Sequence, residues 1–234
     1  HFVASMYATA WHDSHEGEVT PAPWAKALAS HSRHALVIAE AADWFGAGGR
    51  APAAGLTDID GDGAAEVVLR NEELMAVLTP QHGGRLVYLF GRTKEGGALL
   101  VGNPSDDWNL QEELNRFMDE PANHPGALAD IGHAHDRYEI EIAEGGQLID
   151  MRNVEEGSPM YGARKRIRLI PGEQAMVACY RVPEMALPLA VESCLSPDYY
   201  GLLREGRAGG SETTGASWRG WRLGDACAWV GRAD

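Results

Sequence analysis

A chain of 234 residues with 44% hydrophobic side chains is long enough for one large domain, or one domain with an appendage, around a packed core. Its net charge of −14, from 34 acidic and 20 basic residues, argues against nucleic acid and anionic membranes as partners, because both would repel it. The sequence has no run of 18 apolar residues, so no membrane-spanning helix is expected.

The first 45 residues predict two helices. Phe2, Met6, Tyr7 and Ala10 recur at helical spacing, and after a polar break from His12 to Pro23 so do Trp24, Leu28, Leu36, Val37, Ala41 and Trp44. Gly46-Ala-Gly-Gly49 and Pro52 end the second helix. The chain opens at His1 without a Met or a signal segment, which suggests a piece of a longer protein. Residues 1–50 are then the tail of a missing upstream domain. His31 and His34 share a helix face and are expected at the surface or near a cap. His12, Asp13, His15 and Glu16 could hold zinc, but a polar loop of this kind is more often simply solvated.

The stretch Asp58-Ile59-Asp60-Gly61-Asp62-Gly63-Ala64-Ala65-Glu66 carries the sharpest chemical signal. Four carboxylates lie within nine residues, three of them at alternate positions, and two glycines let the backbone turn between them. Oxygen donors so close together suit a hard cation, and calcium fits because no His or Cys is present. An EF-hand is excluded, because its twelfth position would be Leu69 and the loop runs into Val67-Val68, which favour a strand. The expected ligands are Asp58, Asp60, Asp62, the Ala64 carbonyl and Glu66. An acidic turn without a metal is the alternative, since Asp-Gly is ordinary turn chemistry.

From residue 51 to 234 the pattern is that of a β-domain. Strands are predicted at Val67–Leu69, Met75–Leu78, Leu86–Phe90, Ala98–Val101, Tyr138–Ile142, Gln147–Met151, Ala163–Ile170, Ala175–Arg181, Ala190–Leu195 and Cys227–Val230. Many strands at short spacing imply a sandwich or barrel. Residues 103–135 read as an insertion with a short helix containing Trp108, Leu110, Leu114 and Phe117, and Gly206–Gly215 reads as a flexible loop. His133 and His135, placed in a strand, would point to one face.

Cys179, Cys194 and Cys227 form no Cys-x-x-Cys pair, so neither a zinc cluster nor a redox motif is signalled. They are expected as buried thiols, which favours a reducing, cytoplasmic compartment. No Gly-x-Ser-x-Gly or phosphate-binding loop occurs. Of the seven tryptophans, Trp108 is the one expected to be exposed and able to stack on a sugar.

Three segments resemble the C-terminal part of glycoside hydrolase family 57, a group of retaining α-glucan amylases, branching enzymes and glucanotransferases. Ala39-Glu-Ala-Ala-Asp43-Trp44-Phe45 is similar to the family's Ala-Glu-x-Ser-Asp-Trp-Phe. Asn71 to Phe90 is similar to the opening of its C-terminal β-domain, and Leu195-Ser-Pro-Asp198-Tyr-Tyr to a late strand end. The resemblance implies a mainly β fold, a two-sheet supersandwich like galactose mutarotase, preceded by two helices and carrying one helical insertion. It implies that Asp43 and Trp44 lie near carbohydrate. Ala42 stands where the family has Ser, and Gly46-Ala-Gly48 where it has aromatics. The family's nucleophile and acid lie in an upstream barrel, and this chain offers no carboxylate pair for them. The implied function is a non-catalytic, carbohydrate-associated domain partnered by an upstream catalytic domain and α-glucan. Two other readings stay open: a mutarotase-type epimerase using His135 and Glu192, and a calcium-stabilised structural module.

Overall fold

The computed structural model describes residues 15–16, 20–21, 23–48, 53–94, 96–102, 126–143, 146–184, 188–193, 211–223 and 226–231. In chain order the elements are β1 (His15–Glu16), β2 (Thr20–Pro21), α1 (Pro23–Gly46), β3 (Ala53–Thr57), β4 (Glu66–Arg70), β5 (Leu74–Thr79), β6 (Arg85–Thr93) and β7 (Gly96–Val101). They continue with β8 (Ala129–Asp130), β9 (Tyr138–Ala143), β10 (Leu148–Asn153), β11 (Arg164–Leu169), β12 (Met176–Arg181), β13 (Val191–Glu192), β14 (Ser211–Thr214), β15 (Trp218–Leu223) and β16 (Ala226–Gly231). The fold is mainly β with antiparallel pairing throughout, and α1 is the one helix among the described residues. The helix expected over residues 1–11 and the Trp108 segment lie outside the described residues.

Two sheets and α1 form three layers. One sheet runs β3-β4-β5-β6-β7 and the other β12-β11-β10-β9. Val67, Leu69, Leu74, Ala76 and Leu78 from the first meet Tyr138, Ile149, Met151, Ile167 and Leu169 from the second in a shared core. The alternate residues Val68, Met75 and Val77 face the other way and pack with Val87, Tyr88 and Phe90 against Val37, Ala41 and Trp44 of α1. This explains why β5 is buried along its whole length: a central strand covered on both faces must be apolar on both. A bulge opposite Val77/Leu78 leaves Val87 unpaired, so Val87 and Tyr88 both join the helix-side core.

The ends of these layers are stitched by polar side chains. Buried Asn71 accepts the N–H groups of Glu73 and Leu74 at 2.8 and 2.6 Å. Its amide donates to the carbonyls of Ile170 and Glu173 at 2.7 and 3.0 Å, tying the β4–β5 turn to the β11–β12 turn. Arg92 donates to the Phe45 and Trp44 carbonyls, each at 3.2 Å, and so caps the C-terminal end of α1. Lys165 and Asp130 form a fully buried ion pair at 2.8 Å. Lys165 Nζ also donates to the Gly83 carbonyl at 2.7 Å, joining the two sheets.

Several expectations are corrected. Ser211–Thr214, expected in a loop, pairs with β15. The strand expected at Ala190–Leu195 is a two-residue β13 against β8. Residues 126–130, expected inside the insertion, already belong to the β framework, since Ala127 bridges Leu86. His133 and His135 lie in the turns before β9, not in a strand. His34 is buried beside Tyr88, with ring centroids 5.7 Å apart, because it continues the Val37–Ala41–Trp44 stripe. Cys179 is exposed, because the outward residues of β12 are uncovered by any described element.

Candidate metal centre

The acidic segment is the connection of the β3–β4 hairpin, between Thr57 and Glu66, which are themselves paired. Gly61 and Gly63 have φ of 79° and 89°, backbone conformations that L side chains rarely adopt. These turns fold the carboxylates back over the loop. Asp58 Oδ1 accepts the N–H groups of Gly61 and Asp62 at 2.8 and 2.9 Å, and its Oδ2 accepts that of Gly63 at 3.0 Å. Asp60 accepts from Asp62, and Asp62 from Ala64. The loop is therefore built by its own acids.

That construction brings Asp58, Asp60 and Glu66 together, with one carboxylate oxygen from each within 4.8 Å of the others. Glu66 is buried, and one of its oxygens accepts the Ile59 N–H at 3.1 Å. Burial, reinforced by Asp60, Asp62 and Asp58, pushes its carboxyl from 4.5 up to about 8. Asp60 is also raised, first by burial, with Arg33 opposing. Both carboxyls are thus biased toward keeping a proton, and a divalent cation would relieve the repulsion that contributes to this bias. Three carboxylates form a hard-oxygen donor set, and the group can hold a metal ion.

A cavity of about 30 Å³ lies beneath the loop, between Asp60, Glu66, Ile59, Arg33, His34 and Tyr88. It has room for about one water or ion. Arg33 on α1 approaches the loop from the helix side, with Nη1 3.6 Å from Asp60 Oδ2 and Nη2 3.3 Å from Asp62 Oδ2.

No family model matches the chain, and no curated protein matches it. Among solved structures, a 4-alpha-glucanotransferase from Thermococcus litoralis is similar over 74% of this chain, at 16% identity and a TM-score of 0.37. The chain spans 28% of the length of that protein.

Of the five expected metal ligands, Asp58, Asp60 and Glu66 converge. Asp62 stands outside that group and is paired with Arg33. Ala64 lines the cavity, and its N–H is spent on Asp62. Asp43 and Trp44 part company. Asp43 is exposed on a groove between α1 and β3–β4, whereas Trp44 is 3% exposed. The Trp44 indole donates to the Asn71 carbonyl at 3.2 Å and the Arg92 guanidinium lies over its ring, so the ring belongs to the core and offers no face to a sugar. Trp108 lies outside the described residues. His135 is exposed and meets His82 edge-on at 6.3 Å, while Glu192 is exposed on β13. Neither lines the cavity or the groove.

Arg33 is the residue that sequence reasoning missed. Its one available signal is position: it sits one turn before Val37 on the stripe that faces the sheet.

Proposed function

We propose that this chain is a non-catalytic, carbohydrate-associated β-domain of a glycoside hydrolase family 57-like protein active on α-glucan, with calcium held by Asp58, Asp60 and Glu66. The observation that carries this reading is the uncovered apolar rim of the helix layer. Leu36 and Ile38 on α1 are 50% and 42% exposed. Leu36 lines a groove of about 560 Å³ whose walls include Ala39, Asp43, Ala54, Gly55 and Val68. Exposed apolar surface of this kind marks an interaction site, and an upstream catalytic domain of the same protein is the partner it suits. The Asp43-Trp44-Phe45 segment supports the reading differently from the resemblance. Trp44 and Phe45 anchor the helix end through Arg92, leaving Asp43 as the exposed residue of the three.

A second reading is a calcium-stabilised structural module without sugar contact. The burial of Trp44 favours it, because that removes one expected sugar platform.

Affinity electrophoresis through an α-glucan gel separates the two, run beside an assay for released reducing sugar. The proposal expects retardation of the chain, weakened in Asp43→Ala, with no sugar released. Release of sugar would overturn the non-catalytic assignment. Unretarded migration with calcium-dependent melting intact would overturn sugar association and leave the structural module.

A further inference from the structure

The second sheet has one covered face and one open face, and the open face is organised by charge. Directly opposed residues in antiparallel strands share a face, so the register arranges the outward side chains in rows. One row reads Glu139, Arg152, Arg164, Arg181 across β9, β10, β11 and β12. The next reads Glu141, Asp150, Arg166, Cys179, and the third Ala143, Leu148, Arg168, Val177. The acids thus occupy the β9–β10 side, and arginines dominate β11 and the end of β12.

Asp150, largely buried at 8% side-chain exposure, takes Arg164 at 3.3 Å and Arg166 at 2.9 Å. Arg152, Arg168 and Arg181 are exposed and have no carboxylate partner among the described residues. Arg152, Arg164 and Arg181 are consecutive in one row, spanning roughly 10 Å at the usual strand spacing. Like charges directly opposite destabilise a sheet. A chain of net charge −14 has acids to spare for this face, yet it places them on the neighbouring strand.

We infer that the open face of β10–β12 is a docking surface for a carboxylate-rich surface of another protein. Guanidinium groups pair with carboxylates in forked geometry, and arginine around a small apolar centre is a common interface composition. Val177, 38% exposed, supplies that centre beside Arg168. The acidic column of Glu139 and Glu141 favours a protein over a polyanion. A nucleic acid crossing the arginines would meet these acids and the repulsion of the whole chain, whereas a folded surface can set basic groups over them. This face lies on the opposite sheet from α1, and the inference stands independently of the calcium loop.

The test is fluorescence anisotropy with a labelled decaglutamate peptide, beside a labelled short DNA duplex, at low salt. Saturable peptide binding is expected, weakened at least about tenfold in Arg152→Glu/Arg168→Glu/Arg181→Glu. It should stay within about twofold of wild type in Arg137→Glu, a charge paired with Glu155 before β9. The neutral triple Arg→Gln variant, with melting checked by circular dichroism, covers the case in which charge reversal prevents folding. Absence of saturable peptide binding overturns the inference. So does an equal loss in the Arg137 control, or DNA binding as tight as the peptide, which would make the face a general polyanion surface.

Discussion

Arg33 Nη2 stands 3.3 Å from Asp62 Oδ2, and this contact ties the helix layer to the acidic loop of the neighbouring hairpin. The loop's charge is thereby divided. Arg33 answers Asp62 and reaches Asp60 as well, while Asp58, Asp60 and Glu66 gather their carboxylates into one group. The geometry leads to four expectations.

Calcium should raise the melting temperature. Binding to the native state alone adds about 2.7 kcal/mol at free calcium about 100-fold above Kd. For a chain of this size that is roughly 5–10 °C. Asp58→Asn/Asp60→Asn should abolish the gain. Differential scanning calorimetry in calcium and in chelator measures it, and identical curves for the wild-type chain would remove calcium from the account.

Stability of the metal-free protein should fall as pH rises through the Glu66 titration. The carboxyl is protonated in the native state up to about pH 8 and ionised in the unfolded chain above about 4.5. Between those values the native state binds the extra proton, so unfolding becomes easier with each step upward in pH. Glu66→Gln removes the proton difference and should flatten this slope, by an amount on the order of 1–3 kcal/mol across the window. Denaturant titrations at pH 5 and pH 8 give the slope; a wild-type slope of the opposite sign would contradict the burial of an ionisable Glu66.

Removing Arg33 should weaken the metal-free fold but enlarge the response to calcium. Arg33→Ala deletes a partly exposed contact worth about 0.5–1 kcal/mol. It also removes the guanidinium that pairs with both Asp60 and Asp62, so a bound cation has more repulsion to relieve. The check is the calcium-induced melting shift in the variant against wild type. An unchanged shift would mean that Arg33 and the cation act on different charges.

Asn71→Ala should be more damaging than any surface change on the loop. It deletes four hydrogen bonds at a fully buried position and strands the Ile170 and Glu173 carbonyls. The Leu74 N–H is left as a buried orphan and the other three groups are partly buried; with about 1–3 kcal/mol for a buried orphan, a loss on the order of 3 kcal/mol is expected in urea unfolding. Asn71→Asp keeps the acceptor for Glu73 and Leu74 but sets a buried carboxylate oxygen against the Ile170 and Glu173 carbonyls, and at neutral pH should destabilise at least as much as alanine.

Much of the framework was legible because its signals are local. Alternation in Arg164–Leu169 and the apolar run Leu74–Thr79 each report how a strand is covered, and the helix ending near Gly46 follows from the glycines after Phe45. The acidic loop was legible because its spacing lies within nine residues. Ser211–Thr214 was not, since its side chains carry no apolar period and only its pairing with β15 makes it a strand.

What the sequence by itself determined is therefore the mainly β texture, the helix with its buried stripe, and the alternation of carboxylates in the loop, all products of short-range stereochemistry. What only the tertiary structure decided is which groups meet. Trp44 went to the core because Asn71 and Arg92 arrive from distant strands to satisfy it. Asp62 stands outside the metal group and meets Arg33, which reaches it from α1. Arg152, Arg164 and Arg181 became one row through strand register, which joins residues far apart in the chain. A side chain's role depends on the charge and solvent around it, and those are set by contacts that no local pattern encodes.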